Sequence, residues 1–212
     1  MSELNLNWLQ ENFKDKEIVV FDIGAADLYD TTRIRQVLPQ ARLYSFECNK
    51  VWELKNYDTA ISEGIYHFQC AVTDIDGEDI FYPSHTLKKE PWHYSGSMCP
   101  PIEISDFEWG EPHAVRTTRL DTFCEKFNVS PDFIHIDVQG AEYKVLSCLG
   151  KHRPMAIWAE ICEFESVYKT GTTYNKFTEL MTMLGYTSMG RYNGDELFIH
   201  TTSTLTDYTS TT

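Results

Sequence analysis

The chain has 212 residues, 42% hydrophobic and 24% charged, which suits one ordinary globular domain with a sizeable core. Its formal charge of −14, from 18 Lys and Arg against 32 Asp and Glu, repels phosphate backbones at long range and argues against long RNA or DNA as a partner. Six cysteines without a C-x-x-C pair argue against a zinc ribbon or thioredoxin-type site. With no apolar leader and no bilayer-length apolar run, the expectation is a cytoplasmic protein with reduced thiols and no membrane contact.

Residues 2–15 place Leu4, Trp8, Leu9 and Phe13 at the spacing of a short amphipathic helix. The apolar run Ile18-Val19-Val20-Phe21 predicts a strand buried on both faces, ending in Asp22-Ile23-Gly24-Ala25-Ala26. A helix is expected over 29–38, stopped by Pro39. Residues 42–46 read as a second strand, 50–61 as a helix and 65–72 as a third strand. A short strand over 78–82 follows the Asp76-Gly77 turn. The rhythm breaks over residues 83–112, which hold five of the eight prolines together with Trp92, His93, Tyr94 and Trp109. An irregular segment of this length suits a lid or binding loop better than a decorative insertion.

Regular alternation resumes with a strand over 114–118, a helix over 120–127 and a buried strand over 132–137. A helix over 140–149, stopped by Gly150, a strand over 155–161 and a helix over 174–184, ended by Gly185, come next. Residues 186–192 and 196–200 read as a closing antiparallel pair around Asn193-Gly194-Asp195, and the Thr-rich residues 201–212 as a frayed tail. The pattern predicts a single α/β domain over residues 1–200, with a mainly parallel sheet covered on both faces.

Ligands of such sheets bind beyond the carboxyl ends of the strands, near the topological switch point. Four predicted strand ends carry acids: Asp22, Glu47, Asp137 and Glu160. Gly24, Ala25 and Ala26 permit close backbone approach at a strand-to-helix turn, although the G-x-G-x-x-G dinucleotide fingerprint is absent. Glu47, 23 positions after Gly24, suits an acid that accepts from ribose hydroxyls; a solvated acid capping the next helix is the alternative. After the third strand, Ala71 lies where an adenine would rest. Asp74 reads equally as an acceptor for its amino group or as the start of the Asp76-Gly77 turn. His135 sits inside a buried strand and reads as a satisfied core histidine. His93 and His113, in or beside the segment 83–112, are better acid–base candidates.

The most informative stretch is Thr118-Arg119-Leu120-Asp121-Thr122-Phe123, continuing to Ile136-Asp137-Val138-Gln139-Gly140-Ala141-Glu142. Here the chain resembles the FkbM-type family of S-adenosyl-L-methionine (SAM)-dependent methyltransferases, which pairs an L-D-x-F helix start with a buried strand ending I-D-V-x-G-A-E. The resemblance extends over roughly residues 17 to 200 and includes Phe21-Asp22-Ile23-Gly24-Ala25, Phe46-Glu47-Cys48-Asn49 and Trp158-Ala159-Glu160-Ile161. It implies a Rossmann-like seven-stranded sheet with the last strand antiparallel and helices on both faces. It implies SAM as methyl donor and, most often, a hydroxyl acceptor on a small molecule or glycan. Convergent carboxylates suit SAM, which is cationic at sulfur and presents two ribose hydroxyls.

Carried over by position, Asp22, Gly24 and Ala25 flank the methionine end of SAM, with Ala26 beside them. Glu47 holds the ribose, with Cys48 beside it, and Asp137 lies near the transferring methyl. Glu142 begins the next helix, where the N-terminal dipole stabilises a carboxylate. For Asp137 the rival role is capping the helix from Gly140. Glu160, His93 and His113 are the remaining candidates for a base; no metal site is implied. Ser95-Gly96-Ser97-Met98 resembles the family's Ser-rich loop.

The family pattern D-x-G-A-N-x-G is broken by Ala26 and Leu28, which leads to the expectation of a wider turn or weaker cofactor binding. Two other readings follow. One is an N-methyltransferase on the same fold, against which the missing N/D-P-P-Y motif counts. The other is a nucleotide-binding module without catalysis, suggested by the altered turn.

Overall fold

The computed structural model describes residues 4–103, 107–161, 167–192 and 194–205. The strands, in chain order, are β1 (Val19–Ile23), β2 (Arg42–Phe46), β3 (Tyr66–Phe68), β4 (Ala71–Val72), β5 (Gly77–Phe81), β6 (Ser84–Leu87) and β7 (Glu90–Pro91). They continue with β8 (Phe107–Trp109), β9 (His113–Thr118), β10 (Phe133–Ile136), β11 (Ala156–Glu160), β12 (Tyr186–Tyr192) and β13 (Asp195–His200). The helices are α1 (Leu6–Phe13), α2 (Tyr29–Val37), α3 (Glu53–Glu63), α4 (Leu120–Phe127), α5 (Glu142–Ser147) and α6 (Tyr174–Met183), with a short 3₁₀ turn at Lys50–Trp52 before α3.

Seven strands form the main sheet in the order β12-β13-β11-β10-β1-β2-β3. β13 runs antiparallel to both of its neighbours, and the other pairings are parallel. The chain order reverses where β1 lies between β2 and β10, so the switch point is at the carboxyl end of β1. Every residue of β1 and β10 is buried, as Val-, Ile- and Phe-rich parallel strands require.

Alternation along the strands sends side chains into two cores. Phe21, Ile23, Ile134 and Ile136 pack with Phe123, Val145 and Phe177 of α4, α5 and α6. Val20, Leu43 and Phe133 pack with Trp8, Phe13, Ile34 and Ala60 of α1, α2 and α3. Local chemistry sets the helix ends. Asn5 accepts the Trp8 N–H at 3.0 Å to start α1, and Gly64 and Asn128 close α3 and α4 in the left-handed region.

Two expectations change. The strand expected over 65–72 splits at Gln69-Cys70: β3 stays in the main sheet, whereas Ala71-Val72 leaves it to pair with Thr117-Thr118 in a second sheet, β4-β9-β5. Residues 83–112 are not irregular throughout. They build a third small sheet, β7-β6-β8, followed by β9. The strands of this third sheet are two to four residues long, and Pro83 and Pro112 stand directly before β6 and β9.

The five cysteines among the described residues are free thiols. Residues 206–212, most of the expected tail, and Asn193 of the expected hairpin turn lie outside the described residues. Among the described residues no helix is long and apolar enough to cross a membrane.

Much of the aromatic load serves one joint. Phe123 of α4 meets Phe46 and Phe68 edge-on, with centroids 4.8 Å from each, and so anchors the carboxyl end of β2. Phe123→Ala should destabilise the fold by about 3–5 kcal/mol, as for other buried aromatics. Half-exposed Phe127→Ala, one turn on, should cost under about 1 kcal/mol. Urea unfolding midpoints of the two variants check the contrast, and equal losses would mean that the joint is not formed as described.

Candidate active site

A cleft of about 1150 Å³ of empty space, its open mouth included, lies over the switch point. Its floor comes from the carboxyl ends of β1, β2, β10 and β11, and residues 92–98 form its cover. The cover is fastened by a third apolar cluster in which Met98, Cys99 and Phe81 pack with Cys48, Ala141 and Tyr168.

Gly24 makes the floor possible. Its φ is +83°, and a Cβ there would stand 1.9 Å from the Asp137 carbonyl oxygen, so only glycine lets the ends of β1 and β10 meet. Both the Gly24 and Ala25 N–H groups donate to the Phe46 carbonyl at 3.0 Å. Ala26 and Leu28, where the family pattern has Asn and Gly, adopt those residues' left-handed conformation, with φ of +42° and +64°. The turn is closed by the Leu28 N–H, which donates to the Ala25 carbonyl at 2.8 Å. Leu28 is wholly buried in the core beneath α2, and this burial offsets the backbone strain.

Glu47 stitches this turn to β2. One carboxylate oxygen accepts the Ala26 N–H at 2.9 Å and the other the Asn49 N–H at 2.5 Å. Burial pushes its pKa up to about 7 against the pull of these bonds. Glu47 lines the cleft and ties down the next turn, but it is buried and Asn49 is the cap there, so it is not the solvated capping acid. Asn49 is the cap of the 3₁₀ turn, accepting the Val51 N–H at 3.2 Å.

Asp137 and Glu160 meet at the ends of adjacent parallel strands. The Gln139 amide nitrogen donates to both, at 2.6 Å and 2.5 Å. Burial, then the charge of Glu160 and a hydrogen bond to it, hold the Asp137 pKa well above the usual carboxylate range. Asp137 is not the cap of α5. That helix begins at Glu142, whose Oε1 accepts the Val138 and Gly140 N–H groups at 3.1 Å each. Burial raises the Glu142 pKa to about 7.

His135 is the satisfied core histidine of the sequence reading, with Nδ1 2.8 Å from Asp22 Oδ1. Asp22 also accepts from the Thr31 hydroxyl. Burial, the largest single influence, opposes the imidazolium, but the charge and hydrogen bond of Asp22 and the charges of Asp30 and Asp137 together outweigh it and raise the pKa to about 9. His93, in the cover, has Nδ1 3.1 Å from the Ser84 carbonyl, which requires the proton there and leaves Nε2 as the acceptor of the neutral ring.

The cleft brings together Asp22, Gly24, Ala25, Ala26, Glu47, Cys48, Ala71, His93, Asp137 and Glu160. Asp74 and His113 are not among its lining residues. Asp74 accepts from its neighbour Thr73 at 3.0 Å, beyond the point where the chain turns from β4 toward β5. It is Asp76 that holds the following turn, through the Arg119 N–H and the Thr122 hydroxyl at 2.8 Å. His113 opens β9 behind Phe81, against whose ring it packs at 5.8 Å. Sequence reasoning passed over Asp27, Asp30 and Gln139, which also line the cleft. A helix N-terminus rich in acids was a signal for the first two; nothing in the sequence singled out Gln139.

A model of the methyltransferase FkbM domain matches residues 22–196. The chain belongs to the FkbM methyltransferase family. It is 32% identical over 136 residues to the 2-O-methyltransferase NoeI of Sinorhizobium fredii, a match that spans 61% of this chain and 56% of that relative. Its fold is similar to the FkbM methyltransferase from Methylobacillus flagellatus KT, with a TM-score of 0.55 at 12% identity over 87% of this chain and 44% of the other. It is also similar to the fibrillarin pre-rRNA processing protein of Methanococcus jannaschii, with a TM-score of 0.50 at 8% identity over 86% and 65% of the two chains. At these identities the structural likenesses show the shared fold alone. The chain thus spans about half the length of the family relatives it matches.

The His135–Asp22 contact has a pH signature. A histidine pKa raised in the folded state stabilises fully below its unfolded value of 6.5, and that contribution is lost as the pH rises through about 9. His135→Asn should therefore be less stable than the parent at about pH 6, with the gap narrowing by about pH 10. A gap in urea midpoints that does not change with pH would mean that His135 is neutral.

Proposed function

We propose that this chain transfers a methyl group from SAM to a hydroxyl oxygen of a small-molecule or glycan acceptor. The observation that carries the reading is the charge of the cleft. Six carboxylates line it (Asp22, Asp27, Asp30, Glu47, Asp137 and Glu160), of which three have cationic partners: His135, also in the lining, holds Asp22, and Lys55 and Arg33, outside the lining, pair with Asp27 and Asp30. Among the described residues no Lys or Arg pairs with Glu47 or Asp137, whose pKa values burial raises, so this part of the cleft favours a cation, and a sulfonium supplies one. The hydroxyl chemistry of the NoeI relative supports oxygen over nitrogen as the acceptor. The intact turn at Ala26 and Leu28 removes the reason for reading the chain as an inactive module.

The chain's residues fit the donor. Each Glu47 oxygen keeps a lone pair for a ribose hydroxyl while holding its backbone N–H. Ala71 and Cys48 offer the apolar wall for the base. Gly24, Ala25 and Asp22 flank the methionine end, where Asp22 is held in place by His135. When bound, SAM supplies an electrophilic methyl group on a positively charged sulfur.

The Asp137–Glu160 pair then orients the acceptor hydroxyl and takes its proton as the new C–O bond forms. His93 of the cover faces the same space, and residues 92–98 screen it from water. His113, behind Phe81, has no part in this chemistry. An acceptor bearing phosphate or carboxylate near its reacting hydroxyl is disfavoured by the same acids. The compartment expected for such a protein is the cytoplasm.

Asp137→Asn tests the reading. Because Asp137 does not cap α5, melting should stay near that of the parent, while single-turnover methyl transfer from labelled SAM should fall by about 10²–10⁴. Full turnover in this variant would remove Asp137 from the chemistry. Glu47→Ala should weaken SAM binding by about 1–3 kcal/mol in calorimetry. Unchanged affinity in a folded variant would place the ribose elsewhere.

A further inference from the structure

Gln139 combines three features that nothing in its sequence neighbourhood announces. Its φ is +56°, a conformation that a long side chain rarely adopts and that folds retain mostly at functional sites. Its backbone carbonyl accepts the Ser97 hydroxyl at 2.7 Å, which ties this strained turn to the cover of the cleft. Its side chain spans two acids and a phenol. Nε2 donates to Asp137 and Glu160, and Oε1 lies 2.9 Å from the Tyr168 hydroxyl. With at least one of the two acids ionised, an amide oxygen turned toward the pair would face a carboxylate that cannot donate, so the amide nitrogen is the end that faces them.

We infer that Gln139 is a positioning residue that clamps Asp137 and Glu160 side by side, so that the two carboxyl groups work as one acid–base unit. The inference rests on the methyl-transfer reading for the use of that unit, but the clamp itself is a property of this chain alone. Two half-buried carboxyl groups in contact resist ionising together, which holds the Asp137 pKa above the usual carboxylate range. Two N–H bonds to the pair favour its ionised form and oppose the effect of burial. They also leave the amide no freedom to turn away, so both acids keep one distance and one direction toward the acceptor.

Other groups around the pair bias its charge without bridging it. Glu47 and Glu142 raise its affinity for the proton, His135 lowers it, and His93 lines the same cleft from the cover. Tyr168 touches Gln139 itself. All of these stay in place when only residue 139 is changed.

Gln139→Gly removes the amide and suits the backbone conformation. Gln139→Asn tolerates the same conformation, but its amide is one methylene too short to span both acids. The readout is an infrared pH titration of the buried carboxyl stretch in the substrate-free protein, assigned by subtracting the Asp137→Asn spectrum. In both variants the midpoint should rise by about one pH unit, the shift expected on losing a charged hydrogen bond. The acid limb of kcat should rise with it, while KM for SAM stays near the parent value. A midpoint unmoved in folded variants overturns the clamp, whatever the melting temperature does. A shifted midpoint in a protein that transfers no methyl group keeps the clamp and overturns the methyl-transfer reading. Methyl transfer with an unmoved midpoint does the reverse.

Discussion

Like charges crowded at one sheet edge repel, and this chain gathers its carboxylates there under the cover of residues 92–98. The fold tolerates the cluster because each acid has a local counterweight. Backbone N–H groups hold Glu47 and Glu142, the His135 imidazolium holds Asp22, and one amide serves Asp137 and Glu160 together. What these devices leave uncompensated appears as raised proton affinity at Glu47 and Asp137. Such a site is poised for a cation, and in the proposed reaction the sulfonium of SAM is that cation.

The geometry behind this poise is backbone work. Gly24 lets β1 touch β10, and the following turn winds through left-handed Ala26 and Leu28 before α2. An alanine or leucine in that conformation is strained, and here the strain is offset by the Glu47 bond to the Ala26 N–H and by burial of Leu28. The turn therefore reaches the geometry that the family's Asn and Gly favour through tertiary contacts rather than intrinsic preference.

Most of the α/β frame was legible because its strands are short apolar runs between clear stops. β2, α4 and β12 fall on the residues expected for them, and α2 ends one residue early, before Leu38 and Pro39. The seven-stranded sheet and the antiparallel β13 agree with the family expectation. The split of residues 65–72 was not legible, because Tyr66–Phe68 and Ala71–Val72 are equally good strand formers and only their partners differ. The small sheet within 83–112 escaped for a similar reason: strands of two to four residues carry too little periodicity to read. Acids at strand ends were found because topology alone delivers them. Asp74 and His113 were misplaced because their position depends on how the second sheet sits, which no local pattern encodes. Gln139 was invisible because its role comes from a strained φ and from Tyr168, 29 positions away.

Proton linkage tests the role of the cation directly. A sulfonium seated among protonated carboxyl groups should lower their pKa values and release protons. Calorimetric titration of the protein with SAM near pH 7, in two buffers of different ionisation enthalpy, counts them. Release of roughly half a proton or more is expected for SAM, with a smaller value for S-adenosylhomocysteine, whose sulfur is neutral. SAM binding that releases no more protons than S-adenosylhomocysteine, or the absence of SAM binding, would contradict the account.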